Sequence, residues 1–471
     1  MHLRLNRRHF LGSAAALLAS RGVSQNKTTT TSLPRRTELL LRNAYVMTMD
    51  PAVGDIAGGD VHIRDGQIIA VGKNLSAPRA TVLAGQGMIV LPGLVETHWH
   101  TWNTLLRSLA GDKPEQGYFA TAAAFGQVMT PEDMRHGTLL AAAEALHSGI
   151  TTLHSFCHNV RSRQHAEADI GALQQAGLRA RWSYGWAQGL PDTQVCNLQD
   201  LADLHKDWAN FSNDGLLSLG FAWRGMFRNT QLPREVYQTE FDAARRLDLP
   251  ISAHVGSSET AAKGQIAAHA KENLLGKDVQ IIHALAASPA EIEMLAKANS
   301  PVSLSPGTEL RMGYGITKIG EFLDAGVRLG FSIDNTVLAG DANLFGILKL
   351  ARNIENGKNH NEFKLSARRV LELGTIEAAR SLALDAVTGS LKPGKRADVL
   401  MLATERLNMG VFTDPAHMVI ESTQPENVDT VIVDGRILKR DGKLTALSTS
   451  AILKSASSSL EIMRTKVLPG K

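Results

Sequence analysis

No carboxylate occurs in the first 36 residues, cysteine occurs only twice in 471, and aromatic residues make up 5% of the chain. Each shortage removes a class of explanation. Two cysteines, Cys157 and Cys196, cannot staple a small disulfide-framed fold, and their simplest reading is two buried, apolar side chains. The longest apolar run near the N-terminus, Ala14 to Ala19, is far shorter than the roughly 20 residues of a membrane-crossing helix, so no membrane span is expected. A Gly-x-Gly-x-x-Gly sequence after a strand is also missing, which leaves an open doubly wound sheet as the weaker of two α/β readings. The scarcity of acid is local. Residues 1–36 hold seven basic side chains (Arg4, Arg7, Arg8, Arg21, Lys27, Arg35, Arg36), and the rest of the chain holds 43 basic and 46 acidic ones. The formal charge of +4 therefore belongs to the leader. The body has no electrostatic footprint for nucleic acid, and none is expected as a partner.

What is present begins with that leader. Asn6-Arg7-Arg8-His9-Phe10-Leu11 precedes the apolar run, the pattern of a bacterial export signal with paired arginines. The expectation is a twin-arginine type signal read by its export machinery, and a periplasmic or secreted protein. If the leader does not function, the protein stays cytoplasmic. Residues 1–36 are read as signal and flexible leader and set aside from the fold. With 44% hydrophobic and 20% charged residues, the remainder has ample material for a core.

Two separated stretches read as β structure. In residues 37–90, Val61-His62-Ile63-Arg64 and Ile68-Ile69-Ala70-Val71 flank Asp65-Gly66. In residues 386–445, Val431-Ile432-Val433 and Arg436-Ile437-Leu438 flank Asp434-Gly435. An Asp-Gly pair between alternating runs is a hairpin signal. The economical reading is one small β-sandwich domain assembled from both chain ends, followed by a C-terminal tail or helix at 446–471. Between them, residues 91–385 alternate apolar runs with helical patterns. Candidate strands are Leu91–Thr97, Thr151–Phe156, Ala180–Tyr184, Leu217–Trp223, Ile251–His254, Val279–His283, Val302–Leu304 and Val327–Ile333. Ser288-Pro289-Ala290-Glu291 and Thr130-Pro131-Glu132-Asp133 open helices with a capping residue and proline at the first helical position. Eight strand–helix units in some 280 residues predict an α/β fold of the (β/α)8 TIM-like barrel type, typically about 250 residues long.

Histidines recur at the C-terminal ends of these strands. Leu91–Thr97 leads into His98-Trp99-His100, Ile251–Ala253 into His254, Val279–Ile282 into His283, and Leu329–Ile333 into Asp334. Residues i and i+2 of an extended segment point to one side, so His98 and His100 can converge. In a barrel, the C-terminal strand ends form the catalytic face. Imidazoles with one carboxylate suit a divalent metal, zinc first, with iron or cobalt possible, and an open position for water makes such a site catalytic.

The run Pro92-Gly93-Leu94-Val95-Glu96-Thr97-His98-Trp99-His100, with Gly149-Ile150-Thr151-Thr152, His254, His283, Ser332-Ile333-Asp334 and Gly389-Ser390-Leu391-Lys392-Pro393-Gly394-Lys395-Arg396-Ala397-Asp398, resembles the amidohydrolase superfamily. Within it, the resemblance is to the cytosine-deaminase and triazine-hydrolase-like group. It implies a metal-dependent hydrolase whose His98, His100, His254 and Asp334 hold the metal while His283 faces the water or substrate. Two-metal members bridge their ions with a carboxylated lysine on the fourth strand. Leu217–Arg224 has no lysine, so one ion per chain is expected. In this reading a metal-activated water attacks a non-peptide carbon–nitrogen bond (amide, carbamate, urea-like or ring). Asp334 acts as ligand and general base, and His283 as polarising group.

Deaminases of this group usually carry His-x-x-Glu. Here Ser257 stands at the Glu position, with Glu259 two residues on. That weakens deamination or dechlorination of a nitrogen heterocycle, which stays as the alternative; an inactive scaffold is a minor one. Glu259, Glu309 and Trp102 are candidates for substrate or proton contacts, and His154 and His158 for the mouth. The expected partner is a small-molecule substrate, and a homo-oligomer stays open.

Overall fold

The chain enters its barrel through a glycine that nothing else could replace. A Cβ on Gly93 would lie 1.9 Å from Thr151 Oγ1, so the crossing from the terminal sheet into the first barrel strand requires a bare backbone. The computed structural model describes residues 33–228 and 230–468. Before Gly93 come β1 (Leu39–Val46), β2 (Ile56–Arg64), β3 (Gln67–Gly72), β4 (Thr81–Ala84) and β5 (Met88–Pro92). After it come β6 (Leu94–Trp99), β7 (Ile150–Cys157), β8 (Arg179–Tyr184), β9 (Leu217–Ala222) and β10 (Ile251–Val255). Next are β11 (Val279–His283), β12 (Val302–Leu304) and β13 (Leu329–Phe331). The chain ends with β14 (Val399–Ala403), β15 (Val428–Val433), β16 (Arg436–Arg440), β17 (Lys443–Leu444) and a helix over Thr449–Val467.

Strands β6 to β13 pair in sequence order, all in parallel. Every residue of β6, β7 and β8 is buried, as expected of strands covered on both faces. The ring closes between its first and last strands. Asp334 N donates to the His98 carbonyl at 3.0 Å, and His100 N donates to the Asp334 carbonyl at 2.7 Å. The closing seam is thus made by residues of the predicted site. Both expected helix starts form: Thr130 and Asp133 cap Pro131–His147, and Ser288 and Glu291 cap Pro289–Ala298, each as a reciprocal capping box.

The two chain ends share one mixed sheet in the order β17-β16-β15-β14-β5-β1-β2-β3, with β4 beside β1. They meet where β5 runs antiparallel to β14, from Pro92 opposite Val399 to Met88 opposite Ala403. Val46, Val61, Ile63, Val90, Val399, Met401 and Ile432 pack into a core of their own. Both Asp-Gly turns have positive φ at both residues, the geometry that matches the strand twist. The Lys395-Arg396-Ala397-Asp398 run braces this sheet against the barrel. Lys395 Nζ donates to Ser390 Oγ at 2.7 Å, and Arg179 of β8 donates to Asp398 at 2.7 Å from Nε.

The export-signal reading falls on residues outside those described, up to residue 32. Its proposed boundary at 36 needs correction. Leu33 packs against the main core, and Arg36 Nε donates to buried Asp434 at 2.8 Å. An apolar side chain and a cation with a buried counter-charge draw this segment onto the body. Cys157 and Cys196 are both buried and unbridged. No described helix is long and apolar enough to cross a membrane.

Behind β7 and β8, Asp169 accepts hydrogen bonds from Trp182 Nε1 at 2.7 Å and from the Thr138 hydroxyl. Burial pushes its carboxyl from the ordinary 3.8 up to about 6. The folded state therefore holds this proton more tightly than the unfolded chain. Its contribution to stability is full below about pH 4 and lost as pH rises through 6, amounting to about 3 kcal/mol. In thermal melts, Asp169→Asn should gain on the wild type as pH is raised from 4 to 7. Parallel curves for the two proteins across that range would refute the assignment.

Candidate metal centre and active site

Each donor of the site sits at the end of a barrel strand, where the pleat and the backbone aim it inward. His98 lies in β6 and His100 immediately follows it. His254 lies in β10, His283 ends β11, and Asp334 follows β13. His283 has φ +74° and Asp334 φ +65°, a left-handed conformation uncommon outside glycine, asparagine and aspartate. The strand hydrogen bonds hold both residues in it.

The donor atoms of His98, His100, His254 and Asp334 all lie within 4.8 Å of one another. Asp334 Oδ1 is 3.2 Å from His98 Nε2 and 3.4 Å from His100 Nε2, and His254 Nε2 is 3.2 Å from His98 Nε2. Burial, reinforced by the neighbouring imidazoles, holds the pKa of all three rings well below the ordinary value. They are therefore neutral. His100 Nδ1–H donates to the Phe156 carbonyl at 3.1 Å, which leaves Nε2 as a lone pair aimed into the cluster. Neutral imidazoles and a carboxylate converging on one point need a cation between them, and this donor set holds a divalent metal.

His283 stands beside the cluster with a different partner. Its Nδ1–H donates to Glu309 Oε1 at 3.2 Å. Burial opposes its charged form, but the hydrogen bond to Glu309 and the nearby Asp334 carboxylate outweigh that, and its pKa is raised. Glu309 is fully buried and also accepts from Ser305 N at 2.8 Å and Thr317 Oγ1 at 2.6 Å. The idea that Glu309 meets substrate is corrected here, because it lies behind His283 and fixes which ring nitrogen faces the cavity.

That cavity has a volume of about 590 Å³ and opens above the donors. His100, His254, His283, Asp334, His158 and Ser257 line it; Glu259 and Trp102 do not. Glu259 is exposed, with its side chain against Gly315. Trp102 is buried and donates from Nε1 to His158 Nδ1 at 3.4 Å, supporting the wall from behind. His154 is not at the mouth either. Lower on β7, its Nδ1–H donates to the Thr97 carbonyl at 3.0 Å and Nε2 accepts from Ser183 at 2.9 Å; burial lowers its pKa to about 3. Tyr118, Trp186, Arg228 and Tyr314 also line the cavity and were not anticipated. They sit in the connections after four different strands, Tyr118 at the start of a helix, and no local pattern sets them apart.

Residues 89–438 match the family model described as the amidohydrolase family. The chain belongs to that family. This amidohydrolase is a hydrolase acting on carbon–nitrogen bonds other than peptide bonds. It is 29% identical to a 5'-deoxyadenosine deaminase of Methanosarcina barkeri, over 91% of this chain and 99% of that one. It is 28% identical to a 5-methylthioadenosine/S-adenosylhomocysteine deaminase of Desulforudis audaxviator, over 89% and 97%. Among solved structures, a zinc-bound adenosine deaminase from Xanthomonas campestris superposes with a TM-score of 0.80 at 22% identity, covering 92% of this chain and all of that one. An atrazine chlorohydrolase from Arthrobacter aurescens, complexed with zinc, gives 0.79 at 23% identity, covering 90% and 100%. These likenesses establish the barrel with its terminal sheet.

Proposed function

We propose that this amidohydrolase uses one zinc ion per chain to hydrolyse an amide, carbamate, urea-like or ring carbon–nitrogen bond in a small molecule. The cavity wall is what favours this over heterocycle deamination. Asp334 is the only carboxylate among its described lining residues, and Ser257 occupies the place of the glutamate that serves ring nitrogens in the deaminases the chain resembles. A bound zinc ion lowers the pKa of water towards about 7 and polarises an oxygen or nitrogen on the attacked carbon. Asp334 takes the proton of the attacking water and returns it to the departing nitrogen; its Oδ2 is oriented by Asn335 Nδ2 at 3.0 Å. In its protonated form, which the Glu309 and Asp334 carboxylates favour, His283 keeps Nδ1–H on Glu309 and presents Nε2–H to the negative charge that develops on the attacked group.

Deamination or dechlorination of a nitrogen heterocycle is the second reading, favoured by the activities named for the relatives. A panel of amides, carbamates and ureas beside aminated and chlorinated heterocycles separates the two. We expect carboxylate or amine products from the first set, and ammonia or chloride release confined to the second set would reverse the order. For the metal, β9 carries no lysine. Elemental analysis of purified protein should give one zinc per chain, and two tightly held ions would contradict this.

A further inference from the structure

The cavity is lopsided in charge. Beside Asp334 it is lined by two arginines, Arg224 and Arg228, which differ in what already holds them. Arg224 is buried; Nε donates to Glu240 Oε2 at 3.3 Å and Nη1 to the Pro191 carbonyl at 3.3 Å. Glu240 in turn accepts from Cys196 N at 2.8 Å, so this pair braces a loop and leaves nothing for a ligand. The Arg228 side chain is 34% exposed, and its ion-pair partner among the described residues is Asp192 at 3.0 Å, itself 42% exposed. Ion pairs of this exposure are weak and exchange readily.

Arg228 is also connected to the metal centre by a short wall of rings. The His100 and His158 ring centroids are 4.3 Å apart, and those of His158 and Trp186 are 5.2 Å apart. The Arg228 guanidinium lies 5.8 Å from the centre of Trp186. A planar body laid along this wall puts one end at the donors and the other at the guanidinium. A single available guanidinium, whose fork matches a carboxylate, suits that group better than a phosphate, which calls for more positive charge.

We infer that the substrate is an aromatic or similarly flat molecule carrying a carboxylate at the end remote from the reacting bond, and that Arg228 receives this carboxylate in exchange for Asp192. This rests on the proposed hydrolytic reading for which end reacts, but its test reads binding alone. Indole-3-propionate and its amide serve as probes in calorimetry on the zinc-loaded full chain. The acid should bind about tenfold more tightly than the amide, the effect of one charge-assisted contact. Arg228→Gln should erase that preference while leaving the affinity for the amide unchanged. Asp192→Asn, which releases the guanidinium, should tighten binding of the acid, whereas Arg79→Gln on the distant surface should change nothing. A preference for the acid that survives in Arg228→Gln would place the carboxylate on the metal and overturn the inference. Failure of the acid to bind better than the amide in the unaltered protein, absence of binding included, overturns it too. Such failure leaves the hydrolytic reading standing, and an inactive enzyme on the substrate panel leaves the binding result standing.

Discussion

Asp334→Asn is expected to lower kcat by about 10³-fold, in the range typical for loss of a general base. Asparagine is the informative replacement because position 334 has φ +65°, a conformation asparagine tolerates and alanine does not. The barrel seam at this point is made by the backbone of Asp334, not its side chain, so the fold should be unaffected. The amide oxygen can still approach the imidazoles, and metal content should stay near one ion per chain. Activity near normal with metal retained would remove Asp334 from the chemistry. Lost activity with lost metal would make it a ligand only. The two measurements, elemental analysis and steady-state rate on the same preparation, separate these outcomes.

The second large effect belongs to His283 and its buried partner. His283→Asn, again chosen for a positive φ, should cost about 10²- to 10³-fold in kcat through loss of a donor aimed at developing charge. Glu309→Gln is milder and more telling. Glutamine keeps an acceptor for His283 Nδ1–H and Ser305 N, and its amide can donate to Thr317, so the geometry survives while the charge is removed. We expect about a tenfold loss in kcat with little change in KM, the pattern of an interaction that strengthens in the transition state. A rise in KM at constant kcat would instead mean that the pair only holds substrate. Glu309→Ala is a poor test, because it strands three buried donors.

Much of this was readable from residue order. Mostly apolar runs of three to seven residues end in His98, His254, His283 and Asp334 because a barrel strand is buried along its length and becomes polar only at the rim. Asp65-Gly66 and Asp434-Gly435 marked hairpins for a local backbone reason. The misreadings concern depth and partnership. His154 and His158 share the inward parity of β7 with Phe156, but four residues along a strand separate the packed interior from the cavity wall. Nothing local reports depth. Glu309 looked like a substrate contact because its partner His283 lies 26 positions earlier. Arg36 looked like part of a leader because Asp434, which holds it, lies 398 positions later.

The order of residues by itself therefore determined the strand–helix alternation, the hairpins, the helix starts and the identity of the converging donors, all of which depend on periodicity and neighbours in the chain. Tertiary structure alone decided that Glu309 orients His283, that Arg224 is neutralised by Glu240 while Arg228 pairs with the exposed Asp192, and which residues of the strand-to-helix connections wall the cavity. Those facts depend on distances between segments that the chain brings together only when the sheet closes on itself.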